Sequence, residues 1–525
     1  MPRIKRPRRC ERPSSDAGDA AADRLSALPD DLLHLILLRL DTRTALSTAA
    51  LARRWARLPR ELPALELRVG DVLPRRYHRA LALHHSRLAP GVVPDAAALL
   101  ELDALIARCQ RRAMRAFADG VTGLLMEFPA AGDGEEDDQR RQAKSLRLEF
   151  FPTEEAGCVD RLIPTALAAW GVEHLELVAR PPHLDLYDGP AYAFPHHLLS
   201  DELHRSRLRR LKLANCTVPP LHRYGALAEL VLRDMPASTP MSTYRRLFTS
   251  TGSPLETLRL VSCGCAGTAR QLVVSSSTSR LRELVVDGCS FLAIELRALP
   301  MLERLACQGR DTVELRLGSV PRLAHVSLAF SERSKPGHGE LGCFLDGGAA
   351  GVSTLAVRFT GPSRWIAPRP LETKLTGLRR LLVADVPSSW DVTWTRLLLM
   401  AAPALEVMHI HVAPPGPDEE EEKPGREIRW PAFKFRHRRL REVAVAGFGR
   451  TWRQIFLVRY MARVCKAMQR VLLLKDWCVR EIGLWDWELV QQQECPWSEE
   501  EKAVLRKQVR YGRYWCRPQL QVVVG

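Results

Sequence analysis

This 525-residue sequence is first narrowed by what it lacks. No apolar run approaches the roughly 18 residues of a membrane-spanning helix, and even Leu32 to Leu40 is broken by His34 and Arg39. No membrane partner is expected. The opening MPRIKRPRRCERP has no apolar core of a secretory signal, which predicts a cytosolic or nuclear protein. Thirteen cysteines, an odd number thinly spread over so long a chain, predict reduced thiols rather than a disulfide framework. No G-x-S-x-G elbow and no G-x-x-x-x-G-K-[ST] phosphate loop is present. Gly447-x-Gly449 lacks the third glycine and the ribose-binding carboxylate of a nucleotide fingerprint. The close histidine sets, His84-His85, His196-His197 and His409-x-His411, lack the carboxylate spacing of a metalloprotease helix and read as surface or turn residues. Cys263 and Cys265 have no second pair at zinc-ligand spacing. A non-catalytic protein with no cofactor and no metal is expected.

The length itself exceeds what one core fills, so several domains or a repeat array are expected. A formal net charge of +16 makes an acidic partner plausible, and residues 1–22 form a basic arm through Arg3, Lys5, Arg6, Arg8, Arg9 and Arg12. A nuclear-import address and a solvated tail both fit that arm.

From about Leu146 a short phrase returns. Its clearest copies are Leu208-x-x-Leu211-x-Leu213-x-x-Cys216, Leu255-x-x-Leu258-x-Leu260-x-x-Cys263 and Leu281-x-x-Leu284-x-Val286-x-x-Cys289. Weaker copies begin at Ala143, Val172, Leu227, Leu302, Leu323, Val352, Leu378 and Leu405. Starts at 208, 227, 255, 281, 302 and 323 lie 19, 28, 26, 21 and 21 residues apart. These copies fit the leucine-rich-repeat template, in which each Leu-x-Leu step is a short strand stacked on the next. The array is placed at 141–430. The three cysteines would sit inside the turn leaving each strand. Asp133–Asp138, Asp418–Glu422 and the glycine-rich 331–351 read as loops. Ahead of the array, 68–140 reads as a helical linker or cap, with helical spacing from Asp95 to Phe117 in Leu99, Leu102, Leu105, Ile106 and Met114.

Leu28 to Trp55 reads LPDDLLHLILLRLDTRTALSTAALARRW. Pro29 suits a first helical position, and Asp30 and Asp31 suit the positive end of the helix dipole. Leu32, Leu33, Ile36, Leu37 and Leu40 then follow a helix face, and Thr44–Leu51 and Arg53–Leu58 read as two shorter helices. So short a segment cannot bury that much apolar surface within itself, which predicts a docking surface. Leu28-Pro29-Asp30-Asp31-Leu32-Leu33, Ile36, Leu40, Ala45 and Arg54-Trp55 resemble the F-box, the adaptor module of SCF-type ubiquitin ligases, in its plant form. Leu58-Pro59 stands where many plant members place a second Trp. The resemblance, assigned to 23–67, implies that Leu28, Pro29, Leu32, Leu33, Ile36 and Leu40 face a Skp-type adaptor, with Trp55 packing the third helix.

Towards the other end, Leu440 to Phe448 alternates like a strand, Trp452 to Met468 has helical spacing, and Val471 to Leu474 reads as a strand. Through Leu440, Val443, Gly447, Phe448, Gly449, Leu457, Val458, Tyr460, Met461 and Leu472 this order resembles the FBD region of plant F-box proteins with leucine-rich repeats, assigned to 431–475. The tail 476–525, with Trp485, Trp487, Trp497 and Trp515, has no assignment.

The expected fold class is α/β: a small three-helix F-box, a leucine-rich-repeat solenoid of short parallel strands with helices or loops, and an FBD-like α/β segment. The resemblance implies a substrate-recognition subunit that reaches cullin and RING subunits through the Skp-type adaptor and holds a target protein on its repeats. The competing reading is a repeat protein that binds without ubiquitin, with nucleic acid as one partner, since 426–481 is basic and Trp452 and Tyr460 offer rings for stacking. A basic solvent face on an amphipathic helix accounts for the same residues more simply.

Overall fold

A computed structural model describes residues 28–51, 55, 58–89, 95–127, 143–182, 191–199, 206–249, 254–268, 270–332, 351–361, 365–366, 374–414, 435–492, 497–509 and 520–525. The basic arm, both acidic runs, most of 331–351 and Trp515 lie outside these residues. The described helices are α1 (Asp30–Leu37), α2 (Thr42–Ser47), α3 (Arg75–Arg87), α4 (Ala96–Glu127), α5 (Gly157–Ala168), α6 (Met241–Thr249), α7 (Arg396–Ala401), α8 (Trp452–Val464) and α9 (Glu499–Val509). None is long and apolar enough to cross a membrane.

The described strands, in chain order, are β1 (Ala64–Arg68), β2 (Ser145–Phe150), β3 (His174–Ala179), β4 (Arg210–Ala214), β5 (Glu229–Arg233), β6 (Thr257–Val261), β7 (Gln271–Ser275), β8 (Glu283–Asp287), β9 (Ala293–Ala298) and β10 (Arg304–Asp311). They continue with β11 (Glu314–Ser319), β12 (His325–Glu332), β13 (Thr354–Phe359), β14 (Arg380–Pro387), β15 (Val407–Ala413), β16 (Glu442–Ala446), β17 (Arg470–Leu474), β18 (Trp477–Ile482), β19 (Asp486–Gln491) and β20 (Gln521–Val524). Fifteen of them form one parallel sheet in the order β1-β2-β3-β4-β5-β6-β8-β10-β12-β13-β14-β15-β16-β17-β20.

The register explains why the repeated phrase folds this way. Leu65, Leu146, Leu175, Leu211, Leu230, Leu258 and Leu284 pair in one row across the sheet, so each Leu buries against the equivalent residue of its neighbours. Alternate strand residues point to opposite faces, and this row lies within the main core. Burying each such side chain contributes roughly 1.5–3 kcal/mol. The residues between them, beginning Glu66, Arg147, Glu176 and Lys212, belong to the opposite, open face.

The array is longer than its phrase suggests. β1 opens the sheet before the helical segment, so α3 and α4 are an excursion between the first two strands. α4 still covers that end, placing Met114, Phe117, Val121 and Leu124 in the main core. At the other end β16, α8 and β17, the FBD-like segment, continue the same sheet, and β20 of the unassigned tail adds its last strand.

The layer behind the sheet follows repeat length. Strand starts 29 and 28 residues apart, at Ser145 and His174 or Glu229 and Thr257, leave room for helices α5 and α6. Starts at Thr257, Glu283, Arg304 and His325 are closer, and there β7, β9 and β11 form a three-stranded parallel sheet instead.

The turn cysteines behave as the template requires. The Cys216 thiol donates to the Ala214 carbonyl at 3.2 Å, Cys263 to Leu232 at 3.5 Å and Cys289 to Leu260 at 3.4 Å. Burial pushes the Cys216 thiol up to about 12. Nine cysteines among the described residues are free thiols.

Candidate docking surfaces

The N-terminal module is built from two described helices and their connections. Pro29 precedes α1 as its cap rather than opening it: its ψ of 153° is extended, and its carbonyl accepts from the amides of Leu32 and Leu33 at 3.1 Å each. Asp30 and Asp31 occupy the first turn. Asp41 caps α2 by accepting from the Thr44 amide at 2.9 Å, and the Thr44 hydroxyl and amide hold its carboxyl below the usual range. Residues 53, 54, 56 and 57 of the expected third helix lie outside the described residues.

Leu33, Leu37, Ala45, Trp55, Leu58 and Leu62 close a separate small core, with Leu28 and Ile36 packed against it. Leu33 is 0% exposed, so the side chain expected at the surface is inside the module instead. Residues three or four apart share a helix face, and Leu33 lies with Leu37 on the inner one. Leu32 is 46% and Leu35 57% exposed, and Leu38, Leu40 and Leu51 also face solvent. Pro29 is exposed, Leu28 and Ile36 are half-buried, and Trp55 is buried. A single apolar face in the sequence pattern does not reveal Leu35 as a surface residue, because α1 is apolar on two faces.

This module is fastened to the sheet. The Glu66 amide of β1 donates to the Thr42 hydroxyl at 2.8 Å, Arg43 donates to the Asp71 carbonyl at 3.0 Å, and Leu46 packs against the main core.

The open face of the sheet is a second surface. Over β2–β6 it forms a cleft of about 920 Å³ lined by charge, including Arg147, Glu176, Arg210, Lys212, Glu229 and Arg259. Cations and carboxylates alternate across strands: Arg147 reaches Glu66 at 3.1 Å and Glu176 at 3.5 Å, Lys212 reaches Glu176 at 3.5 Å, and Arg210 reaches Glu229 at 2.6 Å. Further along, the middle row changes to Val285, Ala306, Ser327, Ala356 and Leu382.

His409 and His411 belong to this face on β15 and are not the loose surface histidines expected. His409 Nε2 lies 3.1 Å from Glu442 Oε1, and His411 Nδ1 lies 2.7 Å from Asp385 Oδ1. The hydrogen bond with His409, foremost, holds the Glu442 carboxyl below its usual value. Burial pushes the Asp385 carboxyl up, but His411 and Arg358 outweigh it and leave it lowered. Of the two rings expected to be available for base stacking, Trp452 is exposed and Tyr460 is buried in the core.

A family model described as At1g61320/AtMIF1, LRR domain, matches residues 139–478, more than half of the chain, and a model of the F-box domain matches residues 25–64. The chain belongs to the F-box proteins with leucine-rich repeats. This F-box/LRR protein is 42% identical over 67 residues to the FBD-associated F-box protein At4g13985 of Arabidopsis thaliana, a stretch covering 13% of the chain and 14% of that relative. It is 41% identical over 58 residues to the Putative F-box/FBD/LRR-repeat protein At5g22670 of the same plant, covering 11% of the chain and 13% of the relative. The matched stretch thus spans about a seventh of each relative's length. Neither family model that matches is that of a catalytic domain.

Proposed function

We propose that this F-box/LRR protein is the substrate-recognition subunit of an SCF-type ubiquitin ligase. In this reading the outward leucines of α1 dock to a Skp-type adaptor, through it to cullin and RING subunits, and the open face of the repeats holds a target protein. The observation that carries it is the two-sided α1: Leu33 and Leu37 close the module's own core while Leu32 and Leu35 remain on the outside. An apolar row left over after a core is complete is what a buried hot spot requires. The bonds from Thr42 and Arg43 to the start of the sheet hold the handle at a fixed place relative to the target surface. Function is then tethering: target and charged ubiquitin carrier share one complex, which raises their effective concentration to about the millimolar range for a short flexible link. The thioester chemistry belongs to the partners.

Titration of a purified Skp-type adaptor into the full chain tests this. Leu32→Asp with Leu35→Asp should weaken binding at least ~30-fold, since hot-spot truncations commonly cost about 2 kcal/mol or more, with the thermal midpoint unchanged. Leu33→Ala should instead destabilise the module by about 2–5 kcal/mol, as expected for a core leucine. Adaptor affinity indifferent to Leu32 and Leu35 would overturn the docking face.

A further inference from the structure

The unassigned tail folds back onto the open face. β18 and β19 pair antiparallel as a hairpin, with Ile482 opposite Asp486 around a three-residue turn that Gly483 opens at φ 69°. The hairpin lies where the middle row of the open face has become uncharged. Trp487 packs with Leu382 and Ala384 of β14 in a separate apolar cluster, joined by Ala356 and Val479. Its indole N–H donates to His409 Nδ1 at 3.0 Å. That nitrogen must accept, so the ring proton sits on Nε2 and points at Glu442. The Trp485 indole donates to Glu283 at 3.2 Å.

Charge is complementary across the contact. Asp486 meets Arg380 at 2.9 Å, Glu481 meets Arg358 at 3.0 Å, and the guanidinium of Arg380 also lies 4.6 Å from the Trp487 ring centre. Arg304 lies 5.9 Å from the centre of Trp485. Three arginines on three different strands of the open face therefore receive a short segment that carries three tryptophans, Trp477, Trp485 and Trp487, and the carboxylates Glu481, Asp486 and Glu488. The segment pairs with no strand of the large sheet, so apart from its short chain link to β17 it is held in place by side chains.

We propose that the apolar half of the open face is a binding site for an acidic, tryptophan-bearing β-segment, filled here by residues 477–491 of the chain itself. A partner segment of the same chemistry gains the site by displacing this hairpin. The charged cleft over β2–β6 stays open in either state. This deepens the target-recognition half of the function proposed above. Its test contains no adaptor, so its failure and a failure of adaptor docking are told apart.

The probe is a fluorescently labelled synthetic peptide of residues 477–491, read by anisotropy against the full chain and against a variant in which 477–491 is a Gly/Ser linker of equal length. The linker variant should bind it saturably, and the native chain far more weakly. With a tethered concentration of about 1 mM and a trans affinity of about 10 µM, the difference is roughly 100-fold. Arg380→Glu in the linker variant should weaken binding at least ~10-fold, as loss of a charge pair with its ring contact does. If the linker variant does not fold, Trp485→Ala with Trp487→Ala in the full chain must show the same gain. Equal binding to native and opened chains, or no saturable binding to a folded opened chain, overturns the proposal.

Discussion

His437 has both ring nitrogens committed to backbone. Nε2 lies 2.9 Å from the Ala402 carbonyl, which can only accept, and Nδ1 receives the Leu440 amide at 3.1 Å, so the ring is held as one neutral tautomer. Burial, outweighing the Ala402 bond, keeps its pKa below the usual 6.5. Burial first, then Arg304 and Arg380, move His325 the same way. The unfolded chain therefore binds more protons than the folded one in the window below about 6.5. Stability is fully present above that value and falls as pH drops through the lowered folded-state pKa. Carboxylates held low, Asp385 and Glu442, lose their contribution only at more acid pH. Urea midpoints should decline from pH 7 to pH 5, and His437→Gln should flatten that slope. An unchanged slope in the variant would contradict the neutral-imidazole assignment. No sequence pattern marked His437, because its partners are main-chain groups.

Strand ends carry a recurrent device. Asn215, Asp234, Ser262, Gly288 and Gly447 each follow the last residue of their strand, and all have positive φ. Their amides then reach along the stack, Asn215 to Arg233 at 2.9 Å, Asp234 to Val261 at 3.0 Å and Ser262 to Asp287 at 2.7 Å. Left-handed backbone costs an ordinary residue about 1–2 kcal/mol. At Gly447 there is a second constraint: an added Cβ would meet the Val412 carbonyl oxygen at 2.0 Å, whereas at Gly483 nothing lies within 4 Å. Gly447→Ala should therefore lower stability well beyond the ~1–2 kcal/mol of conformation alone, and Gly483→Ala by about that amount. Denaturant midpoints of the two variants give the ranking, and equal losses would contradict the crowding at Gly447. The strands were legible because Leu-x-x-Leu-x-Leu fixes which residues face the core. The backing strands β7, β9 and β11 were not: Phe291-x-x-Ile294-x-Leu296, leading into β9, even repeats the spacing, and the pattern alone does not say which of two sheets a strand joins. The short intervals from Thr257 to His325 were the available signal, since they leave too few residues for a helix.

Across the whole molecule, the sheet runs from the end of the F-box to the last described strand, and the separately recognised segments are stretches of one stack. The two resemblances were legible from local residues, Leu28 to Trp55 and Leu440 to Leu472. The placement of the tail was not, because Trp487 meets His409 at 78 residues' separation and Trp485 meets Glu283 at 202. Composition marks such a segment as unusual but cannot name the strands it crosses. Similarly, periodicity could not divide α1 into inner and outer leucines, because that division depends on Trp55, Leu58 and Leu62 closing one side. The molecule then presents a handle at one end, an open charged cleft beside it and a self-covered apolar face beyond. Affinity purification of the tagged full chain from plant cells, followed by mass spectrometry, tests the role of the handle most directly. The account predicts recovery of a Skp-type adaptor with a cullin, and loss of both from the Leu32→Asp, Leu35→Asp chain. Absence of the adaptor from the wild-type chain, or its equal recovery with the variant, would contradict it.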